Sequence, residues 1–117
     1  MKIGEVCLNT NNVVLLADFY KQLLEIDNSS NDEVHQLLIS EETQLSIWND
    51  GSHKDNNNRN INLAFTVDDI DAAYKKLLAM DVRIIEKPTQ RPWGAINMSF
   101  YDPDGNIIYF RSFPEHE

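Results

Sequence analysis

Asp102-Pro103-Asp104-Gly105-Asn106, with Ile96-Asn97-Met98-Ser99-Phe100-Tyr101 before it and Ile107-Ile108-Tyr109-Phe110 after it, is the stretch from which the fold is read. Pro103 presets φ at the second position of a turn, Asp102 carries an acceptor that folds back onto the backbone, and Gly105 supplies a residue at ease with φ > 0. The flanking residues alternate or run apolar, and many are β-branched or aromatic. The segment therefore reads as a β-hairpin with a bulged loop. Pro92-Trp93-Gly94 stands just ahead of it.

Moving back along the chain, Ile61 to Val67 alternates as a strand, and Asp68 is the expected cap of a helix whose inner stripe is Ile70, Ala73 and Leu77. Asp68, Asp69 and Asp71 crowd its first turn, where the helix dipole favours negative charge. Val82 to Glu86 reads as a short strand and Lys87 to Pro92 as a loop. The first half repeats this order. Ile3 to Asn9 is strand-like, with Val6 and Leu8 on one face and Glu5, Cys7 and Asn9 on the other. Val13, Leu16, Tyr20 and Leu23 recur at helical spacing behind Asn11 or Asn12 as N-cap. Ile26 to Ser30 has weak strand character. Val34 to Ile39 and Gln44 to Trp48 form a hairpin across Ser40-Glu41-Glu42-Thr43. Between the halves, Asp50 to Asn60 carries Gly, Ser, His, Lys and a run of Asn that cannot bury a face. The organisation is one domain over 1–117, with a first module over about 1–50, a linker at 51–60 and a second module over about 61–113. Tyr20-Lys21-Gln22-Leu23-Leu24-Glu25-Ile26-Asp27 echoes Tyr74-Lys75-Lys76-Leu77-Leu78-Ala79-Met80-Asp81, as a duplication would leave it.

The net charge of −9 argues against nucleic acid, since phosphate binding needs clustered Lys and Arg. A single cysteine excludes an intrachain disulfide framework and fits a reducing compartment. No apolar run reaches membrane-spanning length, and Met1-Lys2 leads into the first strand without a signal-peptide core. The expectation is a cytoplasmic protein with neither membrane nor nucleic acid as partner.

The repeated strand, helix and strands, Phe19-Tyr20 with Leu23-Leu24 closing the first helix, and Trp93-Gly94 followed by Asp102-Pro103-Asp104-Gly105-Asn106 together resemble the vicinal oxygen chelate superfamily, the glyoxalase, bleomycin-resistance protein and extradiol dioxygenase group. The resemblance runs from Ile3 to about Phe110. It implies an α+β fold of two βαβββ modules whose mixed sheets curl into half-open cups, and a homodimer that brings modules together around a small-molecule site.

Enzymes of that superfamily commonly hold a divalent metal with His or Glu from four strands. By the resemblance those positions fall here on Glu5, Ser46, Asn62 and Tyr109. Neutral Ser, Asn and Tyr are poor partners for Zn, Ni, Fe or Mn beside a single carboxylate, so no metal or other cofactor is expected. His53 and His116 fall in the loop and the tail, both expected in solvent, and His35 is a lone strand histidine. Applied to this chain, the cup geometry puts Glu5, Cys7, Asn9, Ser46, Trp48, Asn62, Asn97, Ser99, Tyr101, Tyr109 and Arg111 on concave faces. Polar groups interleaved with aromatic surface suit a ligand pocket, and also suit a sheet face that is merely wet. Trp48 and Trp93 are stacking surfaces in one reading, a core residue and a hairpin anchor in the other. Glu5 is either a general base or the counter-ion of Arg111, and Cys7 is expected to be a buried, inert thiol.

The functional expectation is a metal-independent protein that binds or sequesters a small molecule, an acidic cup favouring a cationic one. Two alternatives stand beside it. One is a divergent metal-dependent lyase, isomerase or dioxygenase of the same superfamily; the other is a non-catalytic interaction module.

Overall fold

A computed structural model of the chain describes residues 1–55 and 61–114, so His116 and the 56–60 half of the linker lie outside the described residues. The chain divides into two units after Asp55.

In the first unit, β1 (Val6–Asn9), α1 (Val13–Leu24), β2 (His35–Ser40) and β3 (Thr43–Trp48) build a three-stranded sheet of order β1-β3-β2. β1 runs parallel to β3 and β2 antiparallel to it, so the sheet is open and mixed. Asn12 is the helix N-cap, its side chain accepting from the Leu15 N–H at 3.1 Å. The helix stops at Glu25, whose φ of 56° turns the chain out of the helix while its N–H satisfies carbonyls of the last turn. Leu16 and Tyr20 are buried with Leu38, Leu45 and Ile47 of the sheet, at about 1.5–3 kcal/mol of transfer free energy for each large side chain. β2 and β3 are joined by Glu41-Glu42, with Glu41 at φ 53°, and the register Ser40↔Thr43 runs unbroken to His35↔Trp48.

This module has one strand fewer than the βαβββ order, because Ile26 to Ser30 forms no ladder. Its backbone is committed to side chains instead. Asn28 Oδ1 takes the Ser30 N–H at 2.8 Å, Ser30 Oγ takes that of Asp32, and Asp32 Oδ1 takes those of Val34 and His35 at 2.8 and 2.9 Å. Asn28 Nδ2 still reaches the Leu37 carbonyl on β2. The described part of the linker is tied down as well. Asn11 and Lys54 exchange two hydrogen bonds of 2.8 Å, and the Lys54 ammonium holds the Asp50 carboxyl well below the usual carboxylate range.

In the second unit, β4 (Leu63–Thr66), α2 (Ile70–Ala79), β5 (Ile84–Gln90), β6 (Ile96–Tyr101) and β7 (Ile107–Ser112) complete a βαβββ module. The sheet order is β4-β7-β6-β5, with β4 parallel to β7 and the other pairs antiparallel. The α2 cap is Asp69 rather than Asp68: its carboxylate accepts from Ala72 N–H at 3.1 Å, and the helix starts one residue later than the acidic run implied. β5 extends through the expected Lys87–Pro92 loop as far as Gln90. Pro88 is accommodated because β5 is an edge strand whose register shifts between Glu86 and Thr89, where no ladder N–H is required of it. The bulged loop expected in the β6–β7 hairpin is present: Gly105 N–H donates to the Asp102 carbonyl at 2.9 Å and Asp102 N–H to that of Asn106 at 3.0 Å, while the strand pairing itself continues without a shift to Tyr101↔Ile107.

The 102–106 loop is built around Asp102, which is 4% exposed. Its Oδ1 accepts the N–H groups of Asp104 and Asn106 at 2.9 Å, and its Oδ2 accepts Asn106 Nδ2 at 2.8 Å. Gly105 stands at φ 78°, which a Cβ would strain. Beneath the hairpin, Phe100 and Phe110 meet edge to face at 4.9 Å, with Leu77, Met98 and Ile108 buried around them.

Candidate functional site

Strand alternation and the two registers decide which residues share the faces turned away from the helices. In the first unit, Leu45, Ile47, Gln36 and Leu38 are buried, and the opposite parity brings together Cys7, Ser46 and Leu37 in one row and Asn9, Trp48 and His35 in the next. Ser46 is 2% exposed, and its Oγ lies 2.7 Å from His35 Nε2 on the neighbouring strand. Trp48 is 41% exposed, so it belongs to the open face and not to the core. Cys7 is also exposed, correcting the expectation of a buried thiol; it sits on the short edge strand β1, on the face that α1 does not cover. Glu5 precedes β1 and is exposed. His35 is exposed but not idle, since Ser46 is its partner. The Asp32 carboxyl beside it is held below the usual aspartate range, first by the N–H of His35 and then by that of Val34.

In the second unit the open face is a grid. Ala64, Tyr109 and Ser99 form one row; Thr66, Arg111 and Asn97 form the next. Tyr101 continues this face along β6, with the Arg83 guanidinium 4.7 Å from its ring centre. Arg111 Nε donates to Thr66 Oγ1 at 2.9 Å, and its guanidinium lies 5.1 Å from the centre of the Phe113 ring. Arg91 Nε donates to Asn97 Oδ1 at 2.6 Å, and Arg91 also pairs with Glu86. Asn62 is exposed just ahead of β4. Trp93, 69% exposed, occupies the turn closed by Gly94 N–H on the Arg91 carbonyl and by Arg91 N–H on that of Ala95, with Gly94 at φ 96°.

The four positions that the resemblance assigns to metal ligands hold an exposed carboxylate, a buried hydroxyl committed to an imidazole, an exposed amide and a half-buried phenol. That donor set does not fit a divalent transition metal. Among the described residues no three His, Cys, Asp or Glu side chains gather as a metal site. Sequence reasoning missed the Ser46–His35 pair and the roles of Thr66, Asn97 and Arg91. The first was accessible from the register that a two-residue Glu41-Glu42 turn imposes; the others depend on side-chain direction, for which the sequence carries no signal.

A family model described as Glyoxalase/Bleomycin resistance protein/Dioxygenase superfamily matches residues 2–110. No curated protein sequence matches the chain. Among solved structures, a glyoxalase/bleomycin resistance protein/dioxygenase from Nocardioides is similar at TM-score 0.80 and 22% identity, covering 100% of this chain and 86% of its own. A glyoxalase/dioxygenase from Nostoc punctiforme gives 0.78 and 24%, covering 97% and 92%. A lactoylglutathione lyase from Agrobacterium tumefaciens gives 0.74 and 18%, covering 95% and 92%. At these identities the likeness is one of fold. Among the described residues no helix is long and apolar enough to cross a membrane.

Proposed function

The chain belongs to the glyoxalase/bleomycin resistance protein/dioxygenase superfamily, and from that premise we propose that it is a metal-independent small-molecule-binding protein of that group, acting in the cytoplasm as a homodimer. The observation that carries the reading is Ser46. At a position where a metal-dependent member presents a strong ligand, this chain has a hydroxyl that is buried and already paired with His35 Nε2 at 2.7 Å. Asn62 and Tyr109 at two of the remaining positions add only neutral oxygen or nitrogen, so the binding enthalpy of a transition metal is largely missing. What the open faces offer instead is aromatic area (Trp48, Tyr101, Tyr109) interleaved with hydrogen-bonding groups, the composition of small-molecule sites.

Two measurements on untagged protein test this. Elemental analysis is expected to find no stoichiometric Ni, Zn, Fe or Mn, and tryptophan quenching with calorimetry across a small-molecule panel is expected to find saturable binding. Both tryptophans are exposed enough to report it. Stoichiometric metal that is lost on Glu5→Ala would overturn the reading in favour of a metal-dependent lyase, isomerase or dioxygenase. Absence of binding across the panel would leave the interaction module as the account of the fold.

A further inference from the structure

The overall charge of −9 directs attention to cationic ligands, but the open face of the second sheet is organised around a guanidinium. Arg111 is exposed, and unlike Lys54, paired with Asp50, and Arg91, paired with Glu86, it has no carboxylate partner among the described residues. It is nonetheless held. Thr66 Oγ1 takes its Nε–H at 2.9 Å and the Phe113 ring lies 5.1 Å from the guanidinium carbon. An arginine has five N–H donors in a planar fork, and Thr66 occupies one. Directly opposite Arg111 in the β6–β7 register is Asn97. Its Oδ1 accepts from Arg91 Nε at 2.6 Å, which fixes the amide orientation and leaves the NH₂ without a partner among the described residues. Neighbouring strands thus present a fork and an amide, both donors, both already oriented.

The adjacent row supplies a surface for the rest of a ligand. Tyr109 lies two residues back on the same face, flanked in register by Ala64 and Ser99, both too small to cover its ring. Two residues of strand span about 7 Å. That is the separation between a carboxylate and an aromatic ring joined by a short methylene spacer. Charges more than a Debye length away, about 8 Å at physiological ionic strength, are largely screened, whereas a fork-to-carboxylate contact is not.

Building on the binding reading above, we propose that Arg111 and Asn97 form a carboxylate subsite, and that the ligand class is a small arylalkanoate whose ring lies against Tyr109. The test uses ¹⁵N-labelled protein and three probes of one shape: 3-phenylpropionate, its neutral amide and 3-phenylpropylammonium. The carboxylate is expected to shift the Arg111 Nε–H and Asn97 side-chain amide resonances saturably. The amide and the ammonium are expected to bind at least tenfold more weakly. Arg111→Gln should weaken the carboxylate at least tenfold, and Arg111→Lys, which keeps the charge but not the fork, should fall between. Lys75→Gln, on the exposed side of α2, should change nothing. Ammonium binding as tight as carboxylate binding, or carboxylate binding unchanged in Arg111→Gln, overturns the subsite and leaves the binding reading standing. Silence of all three probes on the open-face resonances overturns the subsite and counts against that reading too.

Discussion

Replacing Asp102 by Ala removes the centre of the β6–β7 loop, and the size of the loss follows from its geometry. The carboxylate is nearly buried, and the hydrogen bonds it accepts include three of 2.8–2.9 Å, two from backbone N–H groups and one from the Asn106 amide. Each bond to a charged acceptor is worth roughly 1.5–3 kcal/mol. The sum overstates the effect, because the carboxylate is itself desolvated and the freed N–H groups belong to half-buried residues that regain water. A loss of about 2–3 kcal/mol remains, equivalent to a drop in Tm of about 8–12 °C for a chain of this length. Asp102→Asn keeps an acceptor for the two backbone N–H groups but turns a second NH₂ toward that of Asn106. Its cost should be smaller, about 1–2 kcal/mol. Urea titration followed by tryptophan fluorescence reads both, with the denaturant slope expected to stay constant. A cost for Asp102→Ala below about 0.5 kcal/mol, or one equal to that of Asp102→Asn, would refute the account of this loop as a carboxylate-centred turn.

Gly105→Ala forces a Cβ onto φ 78° and should cost about 1–2 kcal/mol in the same titration. Trp93→Ala should change stability by less than about 0.5 kcal/mol, because the ring stands at the tip of its turn and is largely in solvent; a larger loss would mean that it anchors the hairpin. Asp32 titrates below the ordinary aspartate value in the folded chain, so the unfolded chain takes up the proton first as pH falls. Its contribution is therefore complete above about pH 4 and is lost as pH drops through the lower folded value. Thermal melts of the native chain and Asp32→Asn should converge on acidification, and a gap independent of pH would contradict the hydrogen bonding to His35 and Val34 N–H.

Much of the architecture could be read from local signals, because those signals have steric causes. The Asp102 to Asn106 turn, the apolar period of α1 and α2, and the alternation of β6 and β7 each follow from residues whose conformational preferences are strong. Where local signals competed, the reading failed. Asp68 and Asp69 are equivalent as caps in sequence, and only the backbone path selects Asp69. Pro88 reads as a breaker, yet an edge strand with a shifted register tolerates it. The Asn28 to Asp32 run contains enough side-chain acceptors to outcompete a strand ladder, and it did. The candidate site was legible as a parity, which correctly grouped Ser46 with Trp48 and Tyr109 with Arg111. It was only partly legible as chemistry: His35, the partner of Ser46, follows from the β2–β3 hairpin register, whereas Thr66, the partner of Arg111, comes from a strand 45 residues away.

The same irregular segments have a consequence for the protein in concentrated solution. An unpaired sheet edge invites the strand of another molecule. On β2, Asn28 Nδ2 already occupies the Leu37 carbonyl, with an Asx-turn segment where an incoming strand would lie. On β5, Pro88 offers no N–H and the shifted register bends the edge away from a straight partner. Each open sheet thus carries a non-complementary border, so the exposed Leu37, Ile39 and Ile85 side chains beside those borders are denied the backbone template that would convert contact into fibrillar growth.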